Sequence, residues 1–391
     1  MQTEQKITVF IPHIDEITWM GGKQYYDNLV HLVTSHYPNV SFCETSINHA
    51  SFFPKKNSLT NRIRRKISGL SYLEEYQKNF QNYYLKKAGE TIPVIFTNEV
   101  LTKTGIIPYI FWIPDFQFLH LKEYATTNHI KICEDDSRKG ATLADKVMLS
   151  SQDAFKDFSQ FLPEFISKAQ VVPFAKKISP SFLNQKATIV IGKYHLPDAF
   201  FYVPNQFWKH KNHMVVLDAL LFLKEKGLKF TVVFSGHTND FRNQNYFDGL
   251  LSKIAEQNIR EQVFILGMIP FADVVSLIRE SVAVINPSRF EGWNTAVEEV
   301  KSIGKSLLLS DIAVHREQLE DDGKFFNPDK PEELAELMIK TLYNWKNDKK
   351  YIGEESAIKK YGILEKKFAD NFYQLLSVSA KIIRINKLKF F

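Results

Sequence analysis

The stretch of this sequence that says most about its fold is Asn286-Pro-Ser-Arg-Phe-Glu-Gly-Trp-Asn-Thr-Ala-Val-Glu-Glu-Val300. The apolar run Val282–Ile285 precedes it and predicts a buried strand, whereas its second half has a helical pattern. A helix that begins directly after a strand can bind an anion with its free backbone N–H groups, and Gly292 allows close approach. The carboxylates Glu291 and Glu299 suit the hydroxyls of a ribose or sugar. An ordinary strand-to-helix turn with acidic surface residues is the alternative.

Two neighbouring residues are candidates to cap this helix, Asn294 and Thr295. Thr295 with Glu298 three positions later matches a capping box, so we expect Glu298 to have a structural role. Glu299 lies one position further round the first turn and is therefore the functional candidate.

Outward from this stretch, short apolar runs alternate with amphipathic helical patterns such as Gln24–His36 and His213–Lys226. The runs are mostly continuous rather than alternating, which is typical of strands buried on both faces of a parallel sheet. We therefore predict two doubly wound α/β domains, residues 1–176 and 177–365, with a seam near Pro173–Gln185. The predicted strands are Ile7–Ile11, Val40–Cys43, Pro93–Phe96, Pro108–Ile113, Lys146–Leu149, Gln170–Pro173, Phe200–Val203, Phe230–Phe234, Val263–Leu266, Val282–Ile285 and Ser306–Leu309.

Composition excludes several classes of protein. Hydrophobic residues make up 44% and charged residues 24% of the 391 residues, which is ordinary for a globular chain and excludes disorder or a collagen repeat. No apolar run approaches the ~18–20 residues of a membrane-spanning helix. The first strand follows the start so closely that we expect no signal peptide. Cys43 and Cys133 form neither a disulfide framework nor a metal-type pair, so we expect a reducing cytoplasm.

The net charge of +6 is concentrated at one end of the chain. The last 26 residues carry +5, from six basic side chains against Asp370. This distribution argues against nucleic acid as a partner, which would require a basic stripe on a folded face. The tail fits an anionic membrane surface, or it is a solvated helix. A second basic segment, Lys55–Lys66, has an apolar stripe at helical spacing and allows the same two interpretations.

The motifs together resemble the family 4 retaining glycosyltransferases, which have the GT-B fold. Glu291 and Glu299 match the family's Glu-x7-Glu signature, and Val203–His213 looks like its strand-to-helix phosphate loop. Phe264–Pro270 resembles the nucleotide-base segment, and Ser310-Asp311-Ile312 followed by Glu317 resembles the region after the signature helix. In this fold the C-terminal helix, here residues 366–391, crosses back to complete the first domain.

The resemblance implies roles for particular residues. Lys211 would meet the diphosphate of a nucleotide-sugar donor, Glu299 the ribose, and Glu291 the hydroxyls of the transferred sugar. The family usually has an arginine where this chain has Asn205, so Lys209 or His210 would have to replace it. The donor-binding set implied by resemblance is Gly21, Gly22, Asn205, Lys211, Gly236, Ile269, Glu291, Gly292, Trp293, Asn294, Thr295 and Glu299.

Two further candidates follow the predicted strand Pro108–Ile113. The segment from Trp112 to His120 is similar to one that carries an active-site histidine, so His120 would contact the donor sugar near the reacting carbon. Asp115 would orient this histidine or receive the acceptor hydroxyl. It is alternatively a turn former after proline.

The implied reaction is retaining transfer of a hexose from a nucleoside-diphosphate sugar to a growing, lipid-linked glycan in cell-surface polysaccharide synthesis. No metal cluster is evident, and we expect no cofactor beyond the donor itself. The family segment as a whole favours mannose from a guanosine diphosphate donor. Alternatives are a nucleotide-sugar epimerase or phosphorylase on the same fold, and a non-catalytic peripheral membrane protein of glycan assembly.

Overall fold

The computed structural model describes residues 5–14, 20–45, 72–102, 105–183, 187–240, 242–319, 323–347 and 354–388. The basic segment Lys55–Lys66 lies outside these residues, as does Lys389. The strands are β1 (Ile7–Pro12), β2 (Val40–Thr45), β3 (Ile92–Thr97), β4 (Tyr109–Ile113), β5 (Lys146–Leu149), β6 (Ala169–Val171), β7 (Phe201–Val203), β8 (Val232–Phe234), β9 (Val263–Ile265), β10 (Val284–Asn286), β11 (Leu307–Ser310) and β12 (Lys324–Phe326).

Helices follow nearly every strand, as in doubly wound α/β proteins. The helices are α1 (Met20–His36), α2 (Tyr72–Ala88), α3 (Gln117–His120), α4 (Thr127–Leu143), α5 (Gln152–Phe161), α6 (Pro180–Leu183), α7 (Ala187–Lys193), α8 (His213–Glu225), α9 (Tyr246–Glu256), α10 (Phe271–Glu280), α11 (Thr295–Ser302), α12 (Ala313–Leu319), α13 (Pro331–Asn347) and α14 (Glu354–Leu388). None of these helices is both long and apolar enough to cross a membrane.

The strands form two six-stranded sheets, with the orders β2-β1-β3-β4-β5-β6 and β12-β11-β10-β7-β8-β9. Every recorded strand pairing is parallel. All residues of β1, β3 and β4 are buried, which explains why these strands are continuous apolar runs in the sequence. The prediction of two parallel α/β sheets is therefore confirmed.

One strand is absent from the predicted set. The edge strand β12 pairs only with β11, and its three residues contain just two apolar side chains, Phe325 and Phe326. A run this short, next to charged residues, has too little hydrophobic periodicity to be recognised as a strand. The other predicted strands correspond to observed ones, with ends that shift by one or two residues.

The chain divides into two compact units. Unit 1 contains residues 1–116, 131–174 and 366–391, and unit 2 contains residues 117–130 and 175–365. The predicted boundaries were 176/177 and 365/366. The segment 117–130 differs from that prediction, which placed it in the first domain, because its side chains pack against residues of unit 2. His120 stacks on Phe290, and Gln117 accepts a hydrogen bond from Arg242.

The core of unit 1 is rich in stacked aromatic rings. The Tyr25 ring lies 4.0 Å from that of Trp112, and Phe174 meets it edge-on at 5.2 Å. The Trp112 Nε1 donates to Ser150 Oγ at 3.1 Å, so the indole is buried without an unsatisfied donor. The core of unit 2 is mostly aliphatic, built from valine, leucine and isoleucine on both faces of its sheet.

The long helix α14 contributes residues to both units. From residue 366 onward it belongs to unit 1, where Tyr373 stacks on Tyr37 at 3.8 Å and accepts a hydrogen bond from Asn39 Nδ2 at 3.0 Å. Phe372 meets Phe96 edge-on at 5.0 Å. Aromatic contacts therefore attach this part of the helix to the first sheet.

Candidate functional site

The second sheet reverses its strand order between β7 and β10, which are hydrogen-bonded neighbours although they are distant in sequence. Ligands of open α/β sheets bind at such a switch point, beyond the carboxyl ends of the strands. The loop after β7 carries Lys211 and the loop after β10 carries Glu291. The Lys211 Nζ lies 2.6 Å from Glu291 Oε1, with both side chains at least 85% buried. The structure thus brings together two residues that the resemblance assigned to one ligand.

Asn294 connects this ion pair to the helix that follows. Its Nδ2 donates to Glu291 Oε1 at 2.9 Å, and its Oδ1 accepts from the backbone N–H of Val297 at 3.1 Å. Asn294 is therefore the N-cap of α11, and the predicted Thr295/Glu298 capping box is wrong. Asn294 is the better cap because its side chain hydrogen-bonds both to a free backbone N–H at the helix end and to the Glu291 carboxylate.

Glu298 has the structural role that was predicted, by a different route. Its carboxylate is 1% exposed and accepts from Gln318 Nε2 at 2.8 Å, from Lys301 Nζ at 3.1 Å and from the Tyr361 hydroxyl. Burial, followed by the Glu298 charge, raises the pKa of Tyr361 well above its usual range, so this phenol stays a donor. A buried carboxylate with three donors is stable because each of its lone-pair sites is used.

The second candidate carboxylate, Glu299, pairs with a different lysine. The Lys176 Nζ lies 2.5 Å from Glu299 Oε1 and 5.6 Å from the centre of the Phe271 ring. The Lys176 backbone N–H donates to Tyr361 at 2.9 Å, and Ile178 N donates to Ser302 Oγ at 3.1 Å. The connector at 176–178 is thus aligned along α11, and its lysine neutralises Glu299.

The loop after β7 has the form of the predicted phosphate loop. Lys209–Lys211 form a 3₁₀ turn, Asn212 adopts left-handed backbone angles, and α8 begins at His213. Asn205 is 5% exposed, and its Nδ2 has no hydrogen-bond partner among the residues that the structure describes. A buried donor of this kind costs free energy unless something satisfies it, which makes it a candidate ligand contact.

Gly236, which follows β8, has a structural reason to be glycine. Its φ is +145°, and a Cβ there would lie 2.3 Å from the carbonyl oxygen of Asn205. Any side chain would push the loops after β7 and β8 apart. Gly236 therefore permits the close approach of two loops at the site.

His120 lies at the end of α3 and is exposed. Its ring stacks on Phe290, with centroids 5.2 Å apart, and Phe290 immediately precedes Glu291. The structure therefore brings His120 to the loop that carries the first signature glutamate. In the same short helix, Gln117 Oε1 accepts from Arg242 Nη1 at 2.9 Å.

A buried histidine lies behind the Lys211–Glu291 pair. His315 is 0% exposed, and its Nδ1 lies 2.9 Å from the carbonyl oxygen of Ser310. A carbonyl can only accept, so Nδ1 carries the proton and Nε2 is an acceptor, without a partner among the described residues. Burial is the main cause that lowers the pKa of His315 to about 4; the Glu291 carboxylate and the Ser310 carbonyl oppose it, and the charge of Lys211 acts with it. The imidazole is therefore neutral at pH 7.

The remaining predicted residues are distributed over both units. Gly292, Trp293 and Thr295 are half-buried beside Glu291 at the start of α11, and Ile269 packs in the core before α10. Gly21 and Gly22 form the first turn of α1, directly after Met20, and belong to unit 1. Asp115 is also in unit 1, where its charge adds to burial in raising the pKa of Cys133.

Sequence reasoning missed several side chains that hold this site in place. They come from separate segments, so no local spacing connects them to the signature. Gln318 and His315 follow the Ser310-Asp311 motif, and both are buried in α12. Lys176, Tyr361 and Arg242 carried no signal, because only the fold brings them close.

Among the described residues, no group of three or more His, Cys, Asp or Glu side chains is placed to hold a metal ion. The positive groups near the switch point are instead Lys211, Lys209, Lys176 and Arg242.

Comparisons with known proteins agree with this architecture. Residues 190–357, which lie in unit 2, match the family described as glycosyl transferases group 1. No curated protein matches the chain by sequence.

Solved structures with the same fold cover nearly the whole chain. The complex of Anabaena HepE with UDP and glucose superposes with a TM-score of 0.65 at 15% identity, covering 96% of this chain and 100% of that one. A UDP-forming α,α-trehalose-phosphate synthase from Burkholderia xenovorans, with glucose-6-phosphate, gives 0.60 at 12% identity over 95% and 100%. Sucrose-phosphate synthase from Thermosynechococcus elongatus gives 0.59 at 11% identity over 99% of each chain. The chain therefore has the GT-B fold.

Proposed function

We propose that this protein is a retaining glycosyltransferase that transfers a hexose from a nucleoside-diphosphate sugar to a growing, lipid-linked glycan. The observation that carries the proposal is the Lys211–Glu291 pair at the switch point, joined through Asn294 to the amino terminus of α11. This arrangement offers a cation and a helix terminus to a diphosphate, and a carboxylate to sugar hydroxyls. The family match over residues 190–357 supports the same class of reaction.

The reaction forms a bond between the acceptor oxygen and the anomeric carbon as the bond from that carbon to the diphosphate oxygen breaks. The acceptor's proton passes to the departing diphosphate, so Glu291 does not need to transfer a proton. Lys211 and the N–H groups at the start of α11 stabilise the charge that develops on the leaving group. His120, stacked beside Phe290, would contact the donor sugar. Glu299 would bind the ribose, either while it still pairs with Lys176 or after that ion pair opens.

The donor and acceptor are open to direct measurement. HepE binds UDP and glucose, and the trehalose-phosphate synthase forms UDP and binds glucose-6-phosphate, which supports a nucleotide donor and a sugar acceptor for this fold. The sequence favours mannose from guanosine diphosphate. Incubation with a panel of UDP and GDP sugars and a lipid-linked acceptor, followed by mass spectrometry, identifies the pair. Activity that persists unchanged in EDTA would agree with the expectation of a metal-independent, cofactor-free enzyme.

The stereochemistry and the site assignment are tested separately. An inverted anomeric centre in the product, observed by NMR, would contradict the retaining mechanism. We expect Glu299→Ala to weaken donor binding and slow transfer. Full rate and full donor affinity in this variant would contradict the role of Glu299.

The alternative functions have distinct signatures. A nucleotide-sugar epimerase would convert the donor alone, without an acceptor, and a phosphorylase would require inorganic phosphate. A non-catalytic protein of glycan assembly would show no donor-dependent thermal shift. The match of residues 190–357 to glycosyl transferases group 1 favours transfer over these alternatives.

A peripheral location on the cytoplasmic membrane is part of the proposal. It rests on the basic residues Lys381, Arg384, Lys387 and Lys389 at the end of the chain, where Lys381 is exposed. Neutralising these four residues should lower binding to anionic vesicles while leaving donor affinity unchanged. Unchanged vesicle binding would indicate a solvated helix.

A further inference from the structure

The Lys211–Glu291 pair leaves a diphosphate short of positive charge. The two side chains neutralise each other at 2.6 Å, and the buried side chain of Asn205 in the same loop is uncharged. His210 does not supply the missing charge, because burial and the nearby cations Lys211 and Arg242 lower its pKa well below 6.5. A nucleoside diphosphate carries two or more negative charges at pH 7, so a further cation is needed.

Arg242 follows β8 and is held beside the lysine-bearing loop. Asp240, 1% exposed, accepts from the backbone N–H of Lys209 at 3.0 Å and from that of Arg242 at 3.1 Å. One buried carboxylate therefore joins the loops after β7 and β8, which are neighbouring strands. Arg242 is thereby positioned at the same edge of the sheet as Lys211.

The guanidinium of Arg242 is oriented by three groups. It lies 5.0 Å over the Trp208 ring, its Nε is 3.4 Å from Asp240 Oδ1, and its Nη1 donates to Gln117 Oε1 at 2.9 Å. Its Nη2 lies 3.5 Å from His210 Nδ1. Gln117 and His210 thus lie at Nη1 and Nη2, while the Asp240 carboxylate lies at Nε. A planar fork held in this way suits bidentate contact with phosphate.

Lys209 is less suitable as this cation. Its Nζ lies 4.6 Å over the Tyr124 ring, so it engages an aromatic face on the segment 117–130. An ammonium has three donors but lacks the planar fork with which a guanidinium contacts two phosphate oxygens side by side.

We infer that Arg242 is the second cation that binds the donor diphosphate, together with Lys211. The inference rests on the proposed function, because it requires a nucleoside-diphosphate donor. It adds that Gln117 and Trp208 orient the guanidinium, and that Asn205 Nδ2 donates to the same ligand.

The test is calorimetric titration of the full-length protein with UDP and with GDP. We expect Arg242→Gln to lower the affinity for the nucleoside diphosphate that the wild type prefers by at least 10-fold. The affinity for the matching nucleoside monophosphate, which has fewer charges, should fall by a smaller factor. The control is Arg260→Gln, which removes the same charge. Arg260 precedes β9 and donates to the carbonyl oxygen of Val263, at the amino end of that strand and therefore away from the carboxyl ends that carry Lys211. This control should bind the diphosphate within twofold of the wild type.

The outcomes separate the inference from the proposed function. If the wild type binds neither diphosphate, the proposed function fails. If the wild type binds and Arg242→Gln binds within twofold of it, only the inference fails. If Arg242→Gln does not fold, Arg242→Lys is used instead. This variant keeps a positive charge beside Asp240 but loses the planar guanidinium, and it should bind the diphosphate 3- to 10-fold more weakly than the wild type. Equal affinity of Arg242→Lys and wild type would overturn the inference.

Discussion

The two units share a layout but differ in what lies near the point where the strand order reverses. In unit 1 the reversal is between β1 and β3, and the described side chains nearby include the rings of Tyr26, Phe96 and Trp112, where Tyr26 meets Phe96 at a tilt and Trp112 edge-on. In unit 2 it is between β7 and β10, where Lys211 and Glu291 form a buried ion pair. The same topology therefore supports an aromatic core in one unit and a charged site in the other, which illustrates that function depends on the site rather than the fold.

The polar chemistry of the two units differs in the same sense. The ion pairs Lys176–Glu299, Lys211–Glu291 and Lys301–Glu298, all in unit 2, have both side chains at least 83% buried. In unit 1, Lys23–Asp27 and Arg138–Glu164 each have a side chain more than half exposed. Burying a charge is costly unless its partners are fixed, so such pairs are expected where a ligand must be bound.

The largest effect that we expect from this contrast is on the stability of unit 1. Trp112→Ala removes a stacked, hydrogen-bonded indole and should lower the free energy of unfolding by about 3–5 kcal/mol. Denaturant titration measures this loss. Trp112→Phe keeps a stacked ring and loses the Ser150 hydrogen bond, so about 1 kcal/mol is expected. Nucleoside-diphosphate affinity of the folded protein should stay within twofold, and a loss comparable to that of Lys211 variants would contradict the separation of roles.

The next effect concerns the two lysines that follow the first strand of each sheet. Lys211→Met should reduce the transfer rate by about 100- to 1000-fold, because it removes a charge that stabilises the leaving group. Lys23→Met removes a lysine from the first turns of α1, where it pairs with Asp27 at 2.5 Å, and should change the rate less than threefold. Equal losses in both variants would mean that the charged site is not confined to unit 2.

Acid should destabilise unit 2 before unit 1. Among the described residues, the buried histidines His210, His213 and His315 all belong to unit 2. Burial lowers the pKa of His213 to about 3 and that of His315 to about 4, from 6.5. The unfolded chain therefore binds more protons below pH 6.5, and unfolding becomes easier as the pH falls from 6.5 to 4. His315 alone should account for about 3 kcal/mol.

Hydrogen exchange followed by mass spectrometry, between pH 7 and 4.5 and corrected for intrinsic rates, resolves the two units. Peptides from β10 and β11 should lose protection before peptides from β3 and β4. His315→Gln, which cannot be protonated, should reduce the pH dependence. Simultaneous loss of protection in both units at every pH would contradict this prediction.

The smallest effect concerns the attachment of α14 to unit 1. Tyr373→Leu removes the ring stack on Tyr37 and the hydrogen bond from Asn39, and should cost about 1 kcal/mol of unfolding free energy. Thermal denaturation measures it. Tyr343→Leu is the control, because Tyr343 is 69% exposed on α13 in unit 2 and should leave the melting temperature unchanged.

Much of the fold could be predicted because buried parallel strands have a local signature. The runs at β1, β3 and β10 are apolar on both faces, so their assignment needs no knowledge of their neighbours. The edge strand β12 has no such run and was missed. The grouping of 117–130 with unit 2 also escaped prediction, since it depends on the contact of His120 with Phe290 and of Gln117 with Arg242.

The site was predictable to the extent that it is local in sequence. Glu291 and Glu299 share one strand-to-helix segment, and the loop to Lys211 has a recognisable form. Their partners could not be inferred in the same way. The sequence left the N-cap open between Asn294 and Thr295, and Asn294 holds that position while also donating to Glu291.

The sequence by itself determined the class of fold, the segment that carries the two glutamates, and the basic character of the C-terminal end, because each depends on residues close together in the chain. Only the tertiary structure decided which cation meets which carboxylate. Lys211 and Glu291 are 80 positions apart, and Lys176 reaches Glu299 from the connector. The first pair forms because parallel strands present their carboxyl ends at one edge of the sheet, and the second because the connector runs along α11; both are properties of the folded chain.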